Sequence, residues 1–211
     1  MNPSSFRPAQ WSDLIGHAAL TGQRITAKLA RLDRRTDTVR LLFAGVPGCG
    51  KSTLARLAAQ QLAGSADGAR FAIETISGPR LDAETVKGWH DARGLSCLWG
   101  DWRIKVIEEA DKVPAIAQVL MLDYLDQLTP GTAIIATSNR ESKELSERFQ
   151  TRFQFLDVKA PETADIAALL DRLAPELPAY SRKMIAVGSG GNVRAALLDA
   201  ETALDAELMT A

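Results

Sequence analysis

Residues Gly45-Val46-Pro47-Gly48-Cys49-Gly50-Lys51-Ser52 fit the pattern G-x-x-x-x-G-K-[ST]. They lie between a run that reads as a strand, Arg40 to Ala44, and one that reads as a helix, Ser52 to Leu62. That context is what the pattern needs. Glycines let the loop curl so that backbone N–H groups point inward, and the positive end of the following helix adds to the field, which together make a cradle for phosphates. Lys51 is placed to reach the β- and γ-phosphates, the Ser52 hydroxyl to ligate Mg²⁺, and Thr53 beside it to bind the nucleotide with the loop. The expected ligands are ATP or ADP with Mg²⁺. Cys49 reads as a small loop residue whose backbone, rather than thiol, faces the ligand.

Around this loop, short β-type runs alternate with helical patterns, which predicts an α/β fold with a doubly wound, parallel, five-stranded sheet of the P-loop NTPase type. The strand runs are Arg40 to Ala44, Phe71 to Ile76, Arg103 to Ile107, Ala133 to Thr137 and Phe153 to Val158. Helices are expected at Ala18 to Leu32, Ser52 to Leu62, Ala83 to His90, Ala115 to Gln127 and Lys143 to Phe149. After Val158 no strand candidate remains, and Pro161, Pro175 and Pro178 punctuate helical patterns. The expected division is a core over 1–159 and a small C-terminal three-helix lid domain over 160–211. The lid helices are predicted at Glu162 to Leu173, Ala179 to Val187 and Asn192 to Met209.

Composition narrows the classes. A chain of 211 residues with net charge -1 gives no global electrostatic case for nucleic acid, so any DNA contact must come from a local patch. Arg24, Lys28, Arg31 and Arg35 are spaced to share one helical face, read first as a solvated face and second as a DNA contact. No apolar run is long enough to span a membrane and the first residues lack a signal-peptide pattern, so the chain reads as cytoplasmic with no membrane partner. Cys49 and Cys97 stand in no metal-ligand spacing, and neither a disulfide nor zinc is expected.

A second acidic signal follows the third strand run. Glu108 and Glu109 end Ile104-Lys105-Val106-Ile107-Glu108-Glu109-Ala110-Asp111, where P-loop ATPases place one carboxylate for the Mg²⁺ shell and a second for the attacking water. Glu108 takes the first role and Glu109 the second.

Taken in chain order, these residues resemble the AAA+ ATPases, specifically the clamp-loader branch of replication factor C small subunits and bacterial gamma/tau subunits. Glu108-Glu109-Ala110-Asp111 is similar to the family's Asp-Glu-Ala-Asp box. Phe6-Arg7-Pro8 and the stretch Trp11 to His17 are similar to the segment that contacts adenine, which implicates Arg7, Pro8, Leu14, Ile15 and Gly16 in base binding. Phe6 stands where the family has Tyr, and His17 where it has Gln. The resemblance further implies that Asn139, ending Ile134 to Asn139, senses the γ-phosphate and water. It implies that Arg194 in Gly191-Asn192-Val193-Arg194 closes the lid in cis. Thr151-Arg152-Phe153 aligns with Ser-Arg-Cys and makes Arg152 the arginine finger acting on a neighbour's ATP, with Arg148 as fallback.

Membership of this branch implies an ATPase working with itself or related AAA+ subunits in a ring or spiral, with DNA and a sliding-clamp-like protein as partners. Two departures stand out. Glu108 replaces the box's first Asp, which points to weakened hydrolysis, and no helical collar follows the lid within the sequence. Rival expectations are a nucleotide-gated binding module with little hydrolysis and a protein-remodelling AAA+ regulator. Trp89 to Trp102, with three of the four tryptophans, reads first as core and turn packing and second as a base-stacking or docking element.

Overall fold

The structure, a computed structural model, describes residues 2–64, 71–94, 102–139 and 145–208. Strands β1 (Val39–Gly45), β2 (Ile73–Ser77), β3 (Arg103–Glu108), β4 (Thr132–Asn139) and β5 (Gln154–Val158) form one parallel sheet in the order β2-β3-β4-β1-β5. Side chains alternate between its two faces as the pleat requires. Leu41, Phe43, Ile104, Val106, Ala133 and Ile135 face one core. Leu42, Ile107, Ile134 and Ala136 face the other.

Helices α1 (Gly16–Leu29) and α2 (Lys51–Ala63) cover the first face through Ile25, Leu29, Leu54 and Ala58. Helices α3 (Ala83–Asp91), α4 (Ala115–Asp126) and α5 (Glu147–Gln150) cover the second through Val86, Met121, Leu125 and Phe149. Burial on both faces explains the near-continuous apolar runs of the central strands. Helices α6 (Thr163–Leu173), α7 (Ala179–Gly188) and α8 (Val193–Leu208) then close around Ile166, Leu170, Ala186, Ala196 and Ala200, a third core of their own. The expected fold class, five parallel strands with helices on both faces and three further helices after them, is the observed one.

Details differ from the sequence expectations. Strand β2 begins at Ile73 because Phe71 lies two-thirds exposed, outside the sheet. Helix α1 ends at Leu29, so Arg31 and Arg35 do not share its face. They fall by and within a turn in which the Asp33 carbonyl accepts the N–H groups of Thr36 and Asp37 at 3.1 and 2.8 Å. All four basic residues are nevertheless exposed. Trp89 and Trp102 are both buried, and the Trp89 indole donates to Glu74 Oε1 at 2.9 Å, so these two rings are core residues. Trp99, Cys97 and the start of the helix expected from Lys143 lie outside the described residues. Among the described residues, no helix is long and apolar enough to cross a membrane.

Candidate active site

Sheet register brings the chemistry together. Gly45 at the end of β1 is opposite Asn139 at the end of β4, and on the far side of β4, Ile107 is opposite Ala136, which carries Glu108 to the same edge. Three adjacent strands therefore deliver the phosphate loop, the paired acids and Asn139 to one crevice at their carboxyl ends, where a doubly wound sheet holds its ligand.

Within the loop, Lys51 donates to the carbonyls of Gly45 at 2.9 Å and Val46 at 2.7 Å. Burial pulls its pKa below the usual lysine range. Arg194 pushes the same way, whereas Cys49, Asp111 and Glu109 oppose the shift. Burial also pushes the Cys49 thiol up, as expected of a packed rather than a reactive cysteine. Ser52 is exposed in the first turn of α2, Thr53 beside it is partly buried, and Val46 and Pro47 lie exposed on the rim.

The C-terminal helices reach this loop directly. Val193 N–H, at the start of α8, donates to the Gly48 carbonyl at 3.2 Å. Gly48 has φ +77°, and a Cβ there would stand 1.9 Å from Asn192 Oδ1. Glycine is required on both counts. Asn192 Oδ1 accepts the Ala195 N–H at 3.2 Å, which fixes the first turn that carries Arg194.

Glu109 has an unusual backbone. With φ 54° and ψ 51° it is the one non-glycine residue at positive φ among those described, a conformation that costs on the order of 1 kcal/mol or more. Thr137 Oγ1 accepts its N–H at 3.2 Å, and Gly78 approaches so closely that a Cβ there would sit 2.1 Å from the Glu109 carbonyl oxygen. The half-exposed Glu109 carboxylate meets Lys112 Nζ at 2.9 Å. Asp111, only 4% exposed, accepts the Asn139 N–H at 3.1 Å through Oδ1. Glu108 is partly buried at the end of β3.

Sequence reasoning gave no role to Gly78, Thr137, Asp111 or Asn192. Asp111 carried a signal as the fourth residue of the acid box, Thr137 and Asn192 as members of the runs that end in Asn139 and Arg194; Gly78 is joined to the site only by tertiary contact.

The N-terminal arm runs between core and lid. Trp11 and Leu14 pack on the α1–α2 side, Phe6 and Ile15 join the lid core, and Arg172 lies 5.6 Å from the centre of the Phe6 ring. Arg7 is exposed and donates to the Ser4 and Phe6 carbonyls, while the Pro8 carbonyl accepts from Arg56. Gly16 lies against Pro161 and Asp165, and His17 Nδ1 accepts the Lys159 N–H at 3.3 Å. Of the residues expected at the base, Leu14 thus packs on the sheet side, Ile15 and Gly16 meet the C-terminal helices, and Arg7 bonds within the arm.

Arg152 stands apart from this crevice. It precedes β5, whose first residue, Gln154, is opposite Leu41, whereas Val158 is opposite Gly45. At about 3.3 Å per residue the four steps from Gln154 to Val158 span roughly 13 Å, and Arg152 begins two residues further back.

The sequence model of the "ATPase family associated with various cellular activities (AAA)" matches residues 41–160, more than half of the chain. Replication factor C small subunit of Methanocella arvoryzae is 26% identical over 171 residues, covering 80% of this chain and 51% of the relative. The Natronomonas pharaonis small subunit is 27% identical over 139 residues, 65% of this chain and 41% of the relative. Replication factor C subunit 4 of Encephalitozoon cuniculi is 25% identical over 199 residues, 93% and 57%. The chain spans about half the length of the curated relatives it matches. Two variant structures of Thermotoga maritima RuvB superpose with TM-scores of 0.70 and 0.68 at 19% and 20% identity, covering 97% and 91% of this chain and 68% and 64% of theirs, a likeness of fold. With the glycine loop, the acid pair and Asn139 on one sheet edge and the family match running across all of them, this chain belongs to the AAA family of ATPases.

Proposed function

We propose that the chain binds ATP with Mg²⁺ in the loop Gly45 to Ser52 and hydrolyses it as one subunit of an assembly of like or related AAA+ chains, in the manner of a clamp loader. The observation that carries this reading is the setting of Lys51, half-buried and bonded to the Gly45 and Val46 carbonyls at 2.9 and 2.7 Å inside the glycine loop, on the sheet edge that Glu108 and Asn139 also reach. A cradle closed to any side chain at Gly48 suits phosphate, and the exposed Ser52 hydroxyl and the Glu108 carboxylate are the hard oxygen donors that suit Mg²⁺. That ion, when bound, neutralises charge on the phosphate oxygens.

The chain's own groups divide the remaining work. Lys51 and the loop N–H groups grip the phosphates. Glu109, set by Thr137 and Gly78, orients the attacking water and takes its proton as the water oxygen bonds to the γ-phosphorus and the bond to the bridging oxygen breaks. Asn139, held by Asp111, steadies the same water, and Arg194 closes from the lid in cis. Arg152 lies too far back along β5 to serve its own loop, which suits a finger acting on a neighbour. An arginine in that role is worth on the order of a thousandfold in rate. Likeness to replication factor C subunits favours DNA, with a sliding-clamp-like protein, as the client.

A second reading, a nucleotide-gated module with little turnover, is favoured by Glu108 at the box's first position and by the ion pair that occupies the Glu109 carboxylate. Calorimetry and turnover assays over a range of protein concentrations, with and without primed DNA, separate the two. The enzyme requires uptake that is lost in Lys51→Ala and turnover that rises with concentration and vanishes in Glu109→Gln. Tight uptake without turnover in every condition supports the module, and uptake unchanged in Lys51→Ala overturns both. DNA stimulation that fades with salt supports the DNA client, and its absence favours a polypeptide one.

A further inference from the structure

Arg152 is gripped more firmly than an exposed arginine ordinarily is. Its Nε donates to Asp126 Oδ1 at 3.2 Å and its Nη2 to Asp126 Oδ2 at 3.0 Å, a two-pronged pair, while its Nη1 donates to the Arg148 carbonyl at 2.9 Å. The backbone beneath is pinned as well. Phe149 and Phe153 are buried with ring centres 5.0 Å apart. Ser146 caps α5 by accepting the Phe149 N–H, and its own N–H donates to the buried Gln118 at 3.1 Å.

Asp126 is the last residue of α4, where a carboxylate meets the negative end of the helix and is disfavoured unless a cation answers it. Arg152 supplies that cation. A guanidinium carries five N–H groups; with three committed, one remains on Nη1 and one on Nη2, enough to engage an oxyanion through both terminal nitrogens. Arg148, exposed on α5 one turn before Arg152, makes no side-chain bond of this kind among the described residues.

We propose that Asp126 is a positioning residue for Arg152, fixing the guanidinium so that its two remaining N–H groups face a phosphate oxygen in the adjoining subunit. This rests on the trans-acting role given to Arg152 above. Side chains held before the reaction lose no orientational freedom during it, so the gain appears in kcat and not in nucleotide affinity.

Mixed assemblies test it. An acceptor carrying Arg152→Ala keeps its own nucleotide site, and a donor carrying Glu109→Gln keeps its arginine but cannot turn over. Together they should hydrolyse ATP only where a donor arginine faces an acceptor site. Adding Asp126→Asn to the donor should lower kcat on the order of tenfold at unchanged KM, and Asp126→Glu should restore part of the loss. A donor with Asp126→Asn that works as well as or better than its parent overturns the proposal. So does one that melts earlier or leaves the assembly, because the pair is then a brace. If adding Arg152→Ala to the donor changes nothing, the trans-acting arginine itself fails, whatever Asp126 does.

Discussion

At the carboxyl edge of the sheet, Gly45, Glu108 and Asn139 end three neighbouring strands, and backbone groups, glycines and the buried Asp111 hold the site together. At the amino edge, Asp126 and Arg152 meet by side chains that are 50% and 30% exposed. The first edge is assembled within one chain, whereas the second, on the reading proposed above, acts on another subunit. Main-chain geometry can be fixed by a single fold. Chemistry offered to a partner has to remain on the surface, so only local pairing can order it.

The contrast breaks most sharply at Gly78. Gly78→Ala places a methyl 2.1 Å from the Glu109 carbonyl oxygen, so the acid must shift. Turnover should fall about a hundredfold while nucleotide uptake persists, because a displacement near 1 Å is costly at a reacting centre. Single-turnover and binding measurements on the same variant check this, and unaltered turnover would show that the backbone of Glu109 need not be held.

A smaller change comes from Asn192→Ala, which removes the cap of α8 and its contact with Gly48. A lost cap costs about 1 kcal/mol, so melting should fall by a few degrees and nucleotide release should quicken severalfold in stopped-flow traces. Release at the parent rate would mean that the junction of lid and loop does not hold the ligand.

Smallest is the effect of alkaline pH. Gripping phosphate needs the Lys51 ammonium, which is present below its pKa, and burial moves that pKa down. Affinity should therefore begin to decline at a lower pH than an exposed lysine would give, by less than about tenfold per pH unit. Calorimetry from neutral to alkaline pH reads it, and a flat profile would mean that the loop N–H groups suffice.

Much of the self-contained edge is legible in the sequence because its parts are local. The glycine loop lies between a strand and a helix, Glu108 and Glu109 end an apolar run, and each central strand is buried on both faces. Gly78 with Glu109, Asn192 with Gly48 and Asp126 with Arg152 are separated by tens to more than a hundred residues, and only packing joins them. Nor does periodicity fix where elements stop. The basic series Arg24 to Arg35 reads as one helical face, yet the Ala30 N–H closes on Thr26 and Lys28 and the helix ends. Phe71 suits a strand by composition, but its backbone is helical and β2 begins only at Ile73.

The arm from Asn2 to Ile15 bonds to Glu201 on α8 at one end and packs beneath Trp11 and Leu14 on the core at the other. One short segment is thereby anchored on both the sheet-side core and the helical core that follows Val158, so the entropy of ordering it is spent on joining two packing units rather than on enlarging either.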